Sequence, residues 1–262
     1  MDTCVCETWQ ELFATALERV RAFQASYASP SAVPFFRGHA STNYKLVPSL
    51  LRPSQSGQWQ TKFDEANLYY EFRARAGALL PSNASSWDIL FAMQHHGVPT
   101  RLLDWTESFG AALYFAIAGA ESSIDIWMLD PYALNDVTIW NNTAETGTIV
   151  EVDVDLPYTY LDYFIERTQP VTWGEVLAIY PRRQHPRLAS QSGVFTLHTN
   201  LTPLEEAGIP GLTRLTLQQH GIPDARHLLR LLGWNDFSLF PDLDGLSRFL
   251  RERFPPQNEF FD

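Results

Sequence analysis

The stretch MQHHGVPTRLLDWTESFGAALYFA, Met93 to Ala116, decides how this chain is read. His95, His96, Arg101, Asp104, Trp105 and Tyr114 fall within it, set among Leu102, Leu103, Leu113 and Phe115. A buried polar group left unsatisfied costs roughly 1–3 kcal/mol, so this much polar chemistry in an apolar frame reads as the wall of a site. Upstream, Ser85 and Asp88 form a capping-box pattern for a helix that Gly97 and Pro99 terminate. His95 and His96 then sit in its last turn, where the helix dipole favours a protonated imidazole. Downstream, Thr106 can cap a helix through Phe109, Leu113 and Phe115 to about Ala118, with Gly119 as its stop.

Further out, apolar residues from Trp9 to Phe23 recur every three or four positions and predict an amphipathic helix capped by Thr8. Ala32 to Phe36 reads as a short strand ending at Arg37-Gly38, followed by a polar loop to about Gln60. Phe63 to Leu79 marks a helix stopped near Pro81. Beyond Gly119 the pattern turns to strands: Ile124–Leu129, Gly147–Val152, Val176–Tyr180, Val194–His198 and Arg214–Leu217. Asp224 caps a helix ended by Gly233, and a last helix follows Pro241. With no internal repeat and no low-complexity linker, the expectation is a single α+β domain over 1–262, helix-rich in its first half and strand-rich in its second. Its motif core spans about 20–200, with a helical extension at about 220–262.

The 262 residues, 45% hydrophobic and 13% aromatic, are those of a packed globule and not a disordered chain. A net charge of −11 opposes broad, sequence-independent binding to nucleic acid, which depends on Lys and Arg neutralising phosphates. Arg182, Arg183, His185 and Arg187 make the most basic short stretch and read as a solvated strand end. Cys4 and Cys6 are too close for an ordinary disulfide, and no second Cys/His pair has zinc-site spacing, so no metal is expected. No apolar run approaches the ~20 residues of a membrane span, and no signal-peptide pattern opens the chain. These features predict a cytoplasmic protein with no membrane partner.

Phe35-Phe36-Arg37-Gly38-His39, with Gln94-His96-Gly97 and Thr100-Arg101-Leu102-Leu103-Asp104-Trp105-Thr106, resembles the FRG domain family, named for its Phe/Tyr-Arg-Gly motif. A looser third block is Arg187 to Phe195, where Gln191, Gly193 and Phe195 fit the pattern. More weakly, Phe36-Arg37-Gly38 is similar to the Arg-Gly element with which the ADP-ribosyltransferase superfamily grips NAD on its first strand. Gly110 to Ala116 is similar to the segment that carries that superfamily's nicotinamide-stacking aromatic, here Tyr114. The resemblance implies an ADP-ribosyltransferase-like mixed sheet core and NAD as substrate. It implies binding by Arg37, Gly38, His39, Arg101, Asp104 and Tyr114.

Cleavage of the nicotinamide–ribose bond needs electrostatic support for an oxocarbenium-like centre. Glu175, just before a strand, resembles the superfamily's catalytic glutamate. Gln191 competes for that place from the third block. His96, Arg101 and Asp104 admit two readings: a structural network in which Asp104 pairs with Arg101 or Arg37, or a site in which His96 acts as general base. A Mg²⁺ site from His96, Asp104 and Glu107 is a minor variant. No Gly-x-Ser-x-Gly elbow or Gly-rich phosphate loop is present. The resemblance implies an NAD-using ADP-ribosyltransferase or NAD glycohydrolase, acting as a bacterial toxin or defence effector, with Arg37, Gln191, Glu175 and His96 carrying the chemistry. Its partners are then a nucleotide and a macromolecular acceptor. The alternative is a recognition domain that binds a nucleotide or modified macromolecule without reacting.

Overall fold

The computed structural model describes residues 2–52, 64–139, 148–181 and 192–254. Runs rich in β-branched and aromatic residues pair into one mixed sheet. Its strands are β1 (Asp2–Cys6), β2 (Phe35–His39), β3 (Leu102–Thr106), β4 (Ile124–Leu129), β5 (Val150–Glu151), β6 (Val176–Tyr180), β7 (Gly193–His198) and β8 (Leu212–Leu217). Their spatial order is β1-β8-β4-β2-β3-β7-β6-β5. The two outermost pairs, β1 with β8 and β5 with β6, are parallel, and the inner ladders are antiparallel.

In the middle of this sheet β2 and β3 share a single registered pair, Phe36 with Thr106. The flanking ladders run the full length of their strands: Phe35–His39 along β4 and Leu102–Thr106 along β7. The sheet is therefore two four-stranded halves joined at a seam. The chain crosses it on going from β2 to β3, from β3 to β4, from β4 to β5 and from β7 to β8, so the halves form one domain.

Helices cover one sheet face in two groups. Over the first half, α1 (Trp9–Ser26), α4 (Phe109–Ile117) and α7 (Ile222–Leu231) bury Leu12, Phe23, Leu113 and Leu229 against Phe36, Ile126, Met128 and Leu215. Over the second, α2 (Glu65–Ala76) and α3 (Ser86–His95) bury Tyr69, Trp87 and Phe91 against Leu102, Phe195 and Leu197. On the opposite face α5 (Pro131–Thr138) packs on Phe35, Leu103, Trp105 and Val194. The short helices α6 (Val152–Asp155) and α8 (Asp236–Leu239) and the terminal α9 (Leu243–Arg253) complete the fold. No helix among the described residues is long and apolar enough to cross a membrane.

The expected division into helical and strand-rich halves does not hold, because strands and helices are interspersed throughout. Two unrecognised strands, β1 and β3, and the unrecognised helices α5 and α6 account for this. β1 is a short edge strand with no clean alternation, and β3 is the Leu102–Thr106 run read above as a site wall between helices. β3 is buried at four of five positions, so period-two alternation is hidden in a near-continuous apolar run. Local signals fared better. Ser85 and Asp88 form the expected capping box, and Thr8 caps α1. Ser108 caps α4 in place of Thr106, which closes β3 and accepts the Ser108 N–H at 3.0 Å.

Candidate functional site

Over the seam, between α3 and α4, the two helical groups part and leave a cleft of about 410 Å³. Its apolar walls are Phe36, Phe91, Phe115 and Phe195, and its polar groups come from Arg37, Gln94, His95, Asp104 and Thr106. Clefts of this size with aromatic walls and few polar groups are the usual form of small-molecule sites.

Arg37 lies within β2, one residue past the last registered pair with β3, and its Nη1 donates across the gap to the backbone carbonyl of Asp104, 67 positions away in sequence. The guanidinium thus supplies a hydrogen bond where the ladder has stopped. Its Nε donates to His39 Nε2 at 3.1 Å, and Nη1 stands 3.9 Å from Asp104 Oδ2. Burial lowers the Arg37 pKa, opposed by the Asp104 charge and reinforced by Arg52. Two of its five N–H donors meet these partners, and Nη2 has none among the described residues.

His39 is buried beneath Arg37 and does not line the cleft. Arg37 Nε and, at 3.2 Å, Trp127 Nε1 face its two ring nitrogens, and a neutral imidazole accepts only one of these hydrogen bonds, so a second ring proton would add a further donor against a donor. Burial, with the charges of Arg37 and Arg52, pushes its pKa down to about 3. His39 is therefore a neutral support for Arg37.

Asp104 enters from β3 with its side chain 58% exposed. Gln94 Nε2, from the last turn of α3, donates to its Oδ2 at 2.8 Å. Gly38 completes this wall for a steric reason. A Cβ there would lie 1.9 Å from the Ala112 carbonyl oxygen and 2.7 Å from the Ala116 nitrogen. The glycine admits the backbone of α4.

Arg37, Gly38 and Asp104 share one cleft, while other candidates lie elsewhere. Arg101 forms a bidentate pair with Glu65 on α2, donates to the His198 carbonyl at 2.8 Å and lies 4.0 Å from the Phe164 ring centroid. Burial and the Glu65 charge hold the Tyr160 phenol well above its ordinary pKa, and it too donates to Glu65. Arg101 is thus a buried support of the second half; its partner is neither Asp104 nor Arg37. Tyr114 does not line the cleft, because helical periodicity puts Ala112 and Phe115 on that side. It faces the C-terminal helices, where burial and a hydrogen bond from its hydroxyl to Asp236 raise its pKa.

His96 is exposed, with its ring 4.8 Å from that of His95; it is His95 that lines the cleft. Glu175 is exposed ahead of β6, where its carbonyl accepts from the Thr199 N–H, and it is not among the lining residues. Gln191 and the basic stretch Arg182 to Arg187 lie outside the described residues. Among the described residues, no group of three or more His, Cys, Asp or Glu side chains could hold a metal ion. Sequence reading set Phe115 in the frame of a site and Phe195 in the third block, without a role for either ring, and passed over Phe91. They carry no signal that separates them from core aromatics until α3, α4 and β7 converge.

Residues 33–124 match the family model of the FRG domain. The match takes in β2, β3 and the helices that frame the cleft, and ends at the first residue of β4. No curated protein and no solved structure matches the chain.

Proposed function

We propose that the cleft binds a nucleotide and that the chain uses NAD as substrate, as an ADP-ribosyltransferase or NAD glycohydrolase of FRG type. The observation that carries this reading is the pairing of Arg37 and Asp104 across the seam, 3.9 Å apart inside an aromatic-walled cleft. Arg37, backed by neutral His39, offers Nη2 to a phosphate or ribose oxygen. The aromatic walls accept a planar ring. Asp104 supplies the carboxylate sought above at Glu175. When the nicotinamide–ribose bond breaks, its electron pair leaves with the nicotinamide nitrogen, and the positive charge on the ribose is stabilised by a carboxylate already in place. Water, or a macromolecular nucleophile in the transferase case, then forms the new bond at that carbon and gives up its proton to solvent. A role as toxin or defence effector extends the same reading.

Incubating the protein with NAD should release nicotinamide, and Asp104→Asn should slow release about 100-fold, within the range lost on removing one charge-stabilising group. NAD bound without turnover would instead support recognition alone. The observation favouring that second reading is that Asp104 already accepts a hydrogen bond from Gln94. No binding of NAD at all would overturn both.

A further inference from the structure

Thr100 is 1% exposed and is not a lining residue of the cleft, yet it stands at the head of a chain of hydrogen bonds that ends in the cleft. The Leu102 N–H donates to Thr100 Oγ1 at 3.1 Å, Thr100 Oγ1 bonds to Gln94 Oε1, and Gln94 Nε2 donates to Asp104 Oδ2 at 2.8 Å. The direction of this chain is fixed at its cleft end. A carboxylate can only accept, so Gln94 presents its nitrogen to Asp104 and its oxygen to Thr100. Thr100, which accepts from the Leu102 N–H, then sends its single hydrogen to that oxygen. The ambiguity between oxygen and nitrogen in a glutamine side chain is thereby removed.

We infer that Thr100 is a positioning residue of the cleft, which acts through Gln94 to hold Asp104 as a hydrogen-bond acceptor. This rests on the reading of Asp104 as a group that touches the ligand. It also sets the polarity of that ligand. The atom meeting Asp104 is an O–H or N–H donor, and the atom meeting Arg37 Nη2 is an acceptor or anion. A ribose hydroxyl beside a phosphate or ring oxygen has this pattern.

The test uses the full chain with NAD as probe. Three quantities are followed: the Gln94 side-chain amide signals in a ¹⁵N-labelled sample, NAD affinity, and nicotinamide release. In wild type the Gln94 pair should be displaced from free-amide positions and exchange slowly. Thr100→Val should move it towards the free amide and weaken NAD binding or turnover about tenfold, while Thr100→Ser restores both. In an Asp104→Asn background Thr100→Val should cost no more than about twofold, because the residue it acts through is gone. A merely structural Thr100 would give equal losses in both backgrounds, and that result overturns the inference. Should Thr100→Val not fold, wild-type Gln94 signals at free-amide positions overturn it just as well. If Asp104→Asn leaves NAD binding and release intact while the Gln94 signals behave as expected, the functional reading fails and the hydrogen-bond chain stands.

Discussion

Two acidic partners of arginine, Glu65 and Asp104, predict opposite outcomes. Glu65 is 15% exposed and accepts from both Nε and Nη2 along one edge of the Arg101 guanidinium, itself 8% exposed. Removing its charge strands a buried cation, so Glu65→Gln should cost about 3–5 kcal/mol in chemical denaturation while the NAD affinity of the folded fraction is unchanged. Asp104 is 58% exposed and 3.9 Å from Arg37. Its loss should cost no more than about 1 kcal/mol while removing cleft function. A matching loss of stability from both variants, with NAD affinity unchanged, would reduce the cleft to a structural network. At this scale the sequence is informative but incomplete. The Arg-Gly motif pointed to two lining residues of the cleft, although Arg37 lies mid-strand and not at the strand end the sequence suggested. The partner of Arg101 was illegible, since Glu65 lies 36 positions away on a helix with no pattern pointing to the pair.

Among the elements, α4 and β2 meet more closely than ordinary side chains permit. With Gly38 lodged under the Ala112 carbonyl, Gly38→Ala must push the helix off the strand. The expected cost is about 1–3 kcal/mol, with loss of NAD binding as Ala112 and Phe115 leave their places. Unchanged thermal stability and affinity would show that the helix moves aside freely. Helix ends were the most legible elements, because Thr8, Ser85 and Asp88 satisfy N–H groups within four residues of themselves. β3 was the least legible. Its pairing with β7 joins Asp104 to Phe195, a contact no local pattern contains. The same non-locality hid the cleft's aromatic walls and made Tyr114 the expected ring where Phe115 stands.

For the molecule as a whole, two buried histidines tie stability to pH. His39 and His198 are both pushed down to about 3, in each case first by burial and then by nearby arginines. Because the unfolded chain takes up their protons near pH 6.5 and the native one does not, their stabilisation is complete above that value. It is lost as pH falls towards 3. With both protons in play the slope approaches about 2.7 kcal/mol per pH unit. Denaturation between pH 7 and 4.5 should show it, and His198→Gln should halve it. A flat profile would mean the rings are protonated in the native state. The seam adds a further property to this sheet. Hydrogen bonding stiffens a sheet across its strands, and here that stiffness falls to one rung at the centre. A molecule held by Arg37 on one side and Asp104 on the other would act as a cross-brace between two plates, so occupancy of the cleft would set the twist of the entire sheet.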